Sequence, residues 1–142
     1  MVIGFEDAFI EVLADYVSLC LELMNNDVDV IYGFLYQSPG MRTHNAFFRK
    51  NGCVQHFDEI GLSDEIVDRF FDVGFQDIER LLAVCKQYEH PCPHEIRLTY
   101  DVVSRQFDAK YGYDDYVEGS KSIDPNKVFD KWMDEEIAKA SH

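Results

Sequence analysis

The chain has 142 residues, 46% of them apolar and 14% aromatic, which is enough to bury one sizeable core and excludes a disordered chain. It carries 27 acidic and 13 basic side chains, giving a formal net charge of −14. A surface this acidic repels nucleic-acid phosphates and anionic lipid headgroups, and its field attracts basic proteins.

Residues 5–25 repeat apolar side chains every three or four positions, with acidic side chains opposite, and predict an amphipathic helix. Residues 28–37 are mostly β-branched and aromatic, which predicts the first strand. The aromatic side chains of that strand share one parity, so we expect them to pack on one face of a sheet.

Residues 41–50 and 53–58 flank Asn51-Gly52, the dipeptide that best tolerates the positive φ angles of a type I′ turn. These segments are predicted to form a hairpin and, with the first strand, a three-stranded antiparallel meander. A second helix follows, and Gly74 lies within its apolar stripe. Because a glycine there is otherwise costly, we expect that helix to approach the sheet most closely at Gly74.

Two prolines end the second helix, and residues 95–100 and 106–113 alternate in polarity as a second hairpin does. Residues 113–122 are predicted to form a polar loop. Residues 125–139, opened by a first-turn proline, are predicted to form the last helix.

The predicted fold is α+β: a mostly antiparallel sheet of about five strands with packed helices, in the order α-β-β-β-α-β-β-α. One domain is expected over residues 1–142. The N-terminus shows no signal-peptide pattern and no stretch reaches 18 apolar residues, so we expect a cytoplasmic protein. Cys20 and Cys85 lie on apolar helix faces and are predicted to be buried, not disulfide-bonded.

Cys85, His90, Cys92 and His94 are the residue types that bind zinc. Structural zinc sites usually use two separated pairs of ligands, each spaced by two to four residues, and this spacing differs. We therefore expect a stiff helix-to-strand connection here, with no metal or other cofactor. A small metal- or thiol-dependent enzyme that uses this segment is the alternative function.

His44 and His56 are predicted on neighbouring strands of the first hairpin. With the turn centred on the Asn-Gly pair, Phe47 lies opposite His56, and His44 lies opposite Glu59. Two histidines on the sheet surface, not a catalytic pair, are expected from this register. No glycine-rich loop has the spacing that binds phosphates, so catalysis is not predicted.

Acidic side chains are dense around the second hairpin and the loop after it, and tyrosines lie among them. Tyrosines beside charges are typical anchors of protein interfaces. The predicted partner-binding face comprises Asp108, Tyr111, Tyr113, Asp114, Asp115, Tyr116 and Glu118. Any single carboxylate among them is more often ordinary solvated surface.

The segments 97–101 (RLTYD), 106–111 (QFDAKY) and 113–115 (YDD) resemble the C-terminal hairpin signature of the YezG-like immunity (antitoxin) family. The segment 47–52 (FFRKNG) and Trp132 are similar to that family's aromatic hairpin and to the aromatic residue late in its last helix. The resemblance covers most of the chain.

The resemblance implies a small cytoplasmic bacterial protein that binds and neutralises the C-terminal domain of a secreted polymorphic toxin. The chain departs from the family pattern in the Pro91-Cys92-Pro93 connection and in a longer acidic loop after Tyr116. Together with the net charge, the resemblance implies a basic toxin domain, and a nuclease is the preferred candidate. We expect the acidic face to occlude the active site of that toxin. A scaffold or regulatory module would differ only in its partner.

Overall fold

The computed structural model describes residues 4–113, 117–118, 121–122 and 124–140. Those residues form three α-helices, a short 3-10 helix and seven strands, and the predicted α+β order is confirmed. The elements are α1 (Phe5–Leu23), β1 (Val30–Ser38), β2 (Met41–Lys50), β3 (Cys53–His56), the 3-10 helix (Phe57–Ile60), α2 (Asp64–Gln87), β4 (Glu95–Asp101), β5 (Gln106–Gly112), β6 (Val117–Glu118), β7 (Lys121–Ser122) and α3 (Pro125–Ala140).

The main sheet has five antiparallel strands in the order β3-β2-β1-β4-β5. The predicted meander and both hairpins are confirmed, and Asn51 and Gly52 have φ angles of 52° and 78°, as a type I′ turn requires. Strands β6 and β7 form a separate two-stranded ladder within the segment predicted as a polar loop. A ladder of two residue pairs is too short to give a recognisable alternation in the sequence.

The two faces of β1 bury different side chains. Ile31 and Leu35 belong to the core beneath α1 and α2, whereas the aromatic residues of the opposite parity pack against α3. On that second face Phe47 lies 4.4 Å from Tyr32 and 5.0 Å from Trp132, measured between ring centroids. The predicted shared face of the β1 aromatic side chains is therefore confirmed.

Helix α2 makes a close approach to the sheet at Gly74, where the His44 side chain lies directly beneath the helix. A Cβ atom built on Gly74 would clash with Cε1 of the His44 imidazole on β2. The absence of a side chain at this position therefore lets the imidazole fit beneath the helix.

The prediction of two sheet-surface histidines is wrong. His44 and His56 are both buried, with relative exposures of 1% and 9%. Strand β3 ends at His56 and a 3-10 helix follows, so Glu59 does not lie opposite His44. The side chains of His56 and Glu59 cap this short helix: His56 Nδ1 accepts from the Asp58 N–H, and Glu59 accepts from the His56 N–H.

The buried His44 ring joins three elements through hydrogen bonds. Its Nε2 lies 2.9 Å from the carbonyl oxygen of Phe71 on α2, so this nitrogen carries the hydrogen and donates. Its Nδ1 then accepts from the hydroxyl of Tyr16 on α1, at 2.9 Å. Burial lowers the pKa of His44 to about 4, which keeps the ring neutral near pH 7.

A second link between α1 and α2 is ionic. Arg80 on α2 donates to Asp15 on α1 at 2.8 Å and to the buried Asp77 at 3.2 Å. The second carboxylate oxygen of Asp77 is buried without a hydrogen-bond partner, and burial raises the pKa of this carboxyl group. Arg80 is therefore the cation that compensates a desolvated charge between the helices.

The buried histidine makes the fold sensitive to acid. Between its ordinary pKa of 6.5 and its folded pKa of about 4, the unfolded chain binds more protons than the folded chain. The stability due to neutral His44 is present above pH 6.5 and is lost as pH falls, by up to about 3 kcal/mol. Urea unfolding at pH 7, 5.5 and 4.5 should give a steeper decline for the wild type than for His44→Asn. Parallel declines would contradict this role of His44.

The two arginines of α2 that reach α1 carboxylates form a matched pair. Arg80→Gln should lower the free energy of unfolding by about 1 to 3 kcal/mol, because it leaves the buried Asp77 without a cation. Arg69→Gln removes a solvent-exposed pair with Glu22 and should cost less than about 1 kcal/mol. Denaturant unfolding of both variants measures the difference, and equal losses would show that Asp77 needs no compensation.

Candidate functional site

Strand β5 forms one edge of the main sheet, since among the described strands it pairs only with β4. Hydrogen bonds between β1 and the residues that flank β4 show which backbone groups of β5 point outward. The Val102 N–H donates to the Asp29 carbonyl, and the Gln37 N–H donates to the His94 carbonyl. The carbonyl of His94 and the N–H of Val102, the even-numbered residues that flank β4, thus point toward β1. Because backbone bonds alternate between the two sides of a strand, the odd-numbered residues of β4 bond to β5.

The register then shows which backbone groups of β5 face outward. The odd-numbered residues of β4 pair with Gln106, Asp108, Lys110 and Gly112, whose backbone groups therefore point into the sheet. The N–H and C=O groups of Phe107, Ala109 and Tyr111 point away from β4, and no described strand bonds to them. Such a row of free donors and acceptors can accept another strand.

The side chains of these outward-facing residues lie on the helix-covered side of the sheet, because their β4 partners belong to the core beneath α1. Helix α1 and the hairpin of β4 and β5 enclose an apolar groove with a volume of about 320 Å³. The groove is lined by Ile10, Ala14, Val17, Ser18, Leu21, Tyr100 and Phe107. We call this the α1–β5 groove.

The groove continues past Ile10 into a second concavity of about 320 Å³, which we call the tyrosine cleft. It is lined by Phe5, Glu6, Phe9, Ile10, His90, Tyr111 and Tyr113. Tyr111 stacks on Phe9, with centroids 5.6 Å apart and planes at 16°, and Phe5 stacks on His90 at 3.9 Å. The cleft is therefore built by ring stacking of the start of α1 on the end of β5 and on the connection between α2 and β4.

Both tyrosines of the cleft remain accessible, with Tyr111 41% and Tyr113 51% exposed. Burial, the Tyr113 hydroxyl and the Glu6 carboxylate raise the pKa of Tyr111. Burial also raises the pKa of Tyr113. Both phenols therefore stay neutral near pH 7 and offer a hydroxyl beside an apolar ring, the combination that makes tyrosine frequent in interfaces.

The structure divides the seven predicted partner-binding residues. Tyr111 and Tyr113 meet in the tyrosine cleft, whereas Asp108 has the opposite parity on β5 and lies on the other face of the sheet, beside Lys110. Residues 114–116 are outside the described residues, and with them Asp114, Asp115 and Tyr116. Glu118 lies on β6, but its side chain is also outside the description.

The contribution of α1 to this site is not evident from the sequence pattern. The helical periodicity predicts Phe5 and Phe9 only as core residues of an amphipathic helix, yet both also line the tyrosine cleft. Ile10 gives a sequence signal for the groove, because it lies at the margin of the apolar stripe, in line with Val17 on the helix surface. It is 46% exposed.

The zinc-like segment assembles differently from a metal site. Cys85 and Cys92 bring their thiols into hydrogen-bond contact, but His90 stacks on Phe5 and His94 Nδ1 lies 2.7 Å from the Gln37 carbonyl. Across the described residues, no group of three or more His, Cys, Asp or Glu could hold a metal ion.

The thiols of the described residues are all free, and Cys20 and Cys85 are buried as predicted. Burial raises the pKa of Cys92 to about 12, which disfavours the thiolate that a nucleophilic cysteine requires. Nothing in this geometry favours the thiol-dependent enzyme.

Comparison with known proteins does not identify a family. No protein-family model matches the chain, and a search of curated proteins finds no significant match. Membership of the YezG-like immunity family therefore stays a prediction. Within the described part of the chain, no helix has the length and apolarity needed to cross a membrane.

The open edge of β5 predicts an alternating pattern of amide hydrogen exchange. The N–H groups of Phe107, Ala109 and Tyr111 should exchange at least about tenfold faster than those of Asp108 and Lys110, which bond to β4. Exchange followed by two-dimensional NMR at neutral pH measures all five rates. Equal protection of the five amides would show that another part of the chain covers this edge.

Proposed function

We propose that this chain is a cytoplasmic immunity protein that binds a basic toxin domain and blocks its active site, with a nuclease domain as the preferred toxin. The observation that carries the proposal is the tyrosine cleft, where two accessible tyrosines lie beside a sheet edge that no described strand pairs with, on a protein of net charge −14. Large accessible aromatic side chains in a concavity are typical anchors of a protein interface.

The charge supports a basic partner. A net charge of −14 raises the rate of encounter with a cationic protein by long-range steering. The same charge disfavours binding of this chain to nucleic acid, the substrate of a nuclease. An inhibitor that presents acidic side chains to a cationic cleft competes with the phosphates of that substrate. Occlusion of this kind needs no catalytic group in the inhibitor.

The available surface is also sufficient. A standard interface takes about 800 Å² from each partner, which is about a tenth of the 8629 Å² exposed by the described protein. The tyrosine cleft and the α1–β5 groove lie end to end and share Ile10, so one partner can cover both. The predicted acidic residues Asp114, Asp115 and Glu118 follow within five positions of Tyr113 in the sequence.

The proposal requires a secreted-toxin gene beside the gene of this chain. The C-terminal domain of that toxin, expressed in the cytoplasm of a bacterial host, should stop growth, and co-expression of this chain should restore it. The two proteins should then co-purify as a stoichiometric complex. Unrestored growth together with the absence of a complex would reject the immunity function.

The acidic loop can be tested with a charge-matched control. Asp114→Lys/Asp115→Lys should weaken binding to the toxin domain at least about tenfold at low salt, because the substitution removes attraction from the proposed interface. Asp68→Lys/Asp72→Lys changes the net charge equally at exposed positions on α2 and should have a much smaller effect. Titration calorimetry measures both. Equal losses would show that only the total charge matters.

A further inference from the structure

We propose that β5 binds its partner by strand addition: a cationic, extended segment of the partner pairs with the outer edge of β5 and becomes a sixth strand of the sheet. This inference rests on the proposed function only for the identification of the partner as a toxin. The edge, the groove beside it and the charge around it specify the kind of segment that fits.

Strand addition first requires backbone donors and acceptors that are free to pair, and β5 supplies them. Phe107, Ala109 and Tyr111 each present one free donor and one free acceptor along an edge that no described strand covers. A strand placed there would satisfy these groups without breaking any bond between β5 and β4. Asp108 and Lys110, the charged residues of β5, lie on the other face of the sheet, and their charges cancel.

Strand addition also requires space for every second side chain of the added strand, and the α1–β5 groove supplies it. Successive side chains of an added strand point to opposite faces, so every second one would enter the groove and the tyrosine cleft. Seven residues of β5 span about 24 Å at about 3.4 Å per residue. Helix α1 lies beside both ends of this strand, because Leu21 lines the groove with Phe107 and Phe9 stacks on Tyr111.

The charge of α1 selects a cationic segment. The helix contains no lysine or arginine, and its carboxylates Glu6, Asp7 and Glu11 are exposed along the first two turns. Glu6 also lines the tyrosine cleft. A strand with apolar residues at alternate positions and lysine or arginine between them would place its cations near these carboxylates.

The same charge disfavours a second copy of this chain as the occupant. Edge-to-edge pairing of two β5 strands would bring two lysine-free, arginine-free α1 helices and two molecules of net charge −14 together. Such pairing is the usual hazard of an open sheet edge, and like charge is one way that proteins prevent it.

The test uses an eight-residue peptide in which lysine alternates with valine, blocked at both ends. Added to ¹⁵N-labelled protein, it should shift the amide signals of Phe107, Ala109 and Tyr111 and slow their hydrogen exchange. A peptide with glutamate in place of lysine should bind at least about tenfold more weakly. Shifts confined to another surface, or equal binding of both peptides, would overturn the proposal.

A proline variant isolates the backbone contribution. Ala109→Pro removes an outward-facing N–H without removing a bond to β4, so the sheet should remain folded while peptide binding falls at least about tenfold. Ala109→Ser keeps the N–H and should bind as the wild type does. Unchanged binding by a folded Ala109→Pro variant would overturn strand addition. A wild type that dimerises through β5 without peptide would also overturn it, in favour of a second copy.

The outcomes separate this inference from the proposed function. If the toxin domain is neutralised but the lysine peptide does not bind at β5, the immunity function stands and strand addition fails. If the peptide binds at β5 but no toxin is neutralised, strand addition stands and the immunity function fails.

Discussion

The placement of one imidazole determines how the helices lie on the sheet. His44 fits beneath α2 only because Gly74 has no side chain, and its two ring nitrogens bond to Phe71 on α2 and Tyr16 on α1. The ring must be neutral to accept from one partner while donating to the other, and burial keeps it so. A polar group that is fully satisfied in this way costs little to bury and holds three elements in one arrangement.

With α1 and α2 fixed over the centre of the sheet, the two edges differ. Strand β3 and its neighbour β2 contact α3, whose Phe129 and Trp132 pack against the second face. Strand β5 contacts α1 near its end, where Phe9 stacks on Tyr111, but its outer edge is unpaired among the described strands. The arrangement that buries the core therefore also creates a groove beside a free strand edge.

In the proposed strand addition, affinity and selectivity come from different groups. Backbone groups and an apolar groove can bind any extended chain, so they supply contact without a strong preference for sequence. The carboxylates along α1 add the preference, since they attract cations and repel a second acidic molecule. Two of the residues that first suggested chemistry contribute to packing, since Cys85 is buried and His90 is stacked on Phe5.

The sequence by itself determined the element order, the Asn51-Gly52 turn and the close approach at Gly74, because each depends on local periodicity or backbone freedom. Only the tertiary structure decided the burial of His44, which depends on a helix about 30 residues away, and the tyrosine cleft, which joins the first helix to residues about 100 positions later. Pairings at such separations leave no periodic signal in the chain. The outward direction of Ala109 likewise follows from the bonds that β4 makes to β1.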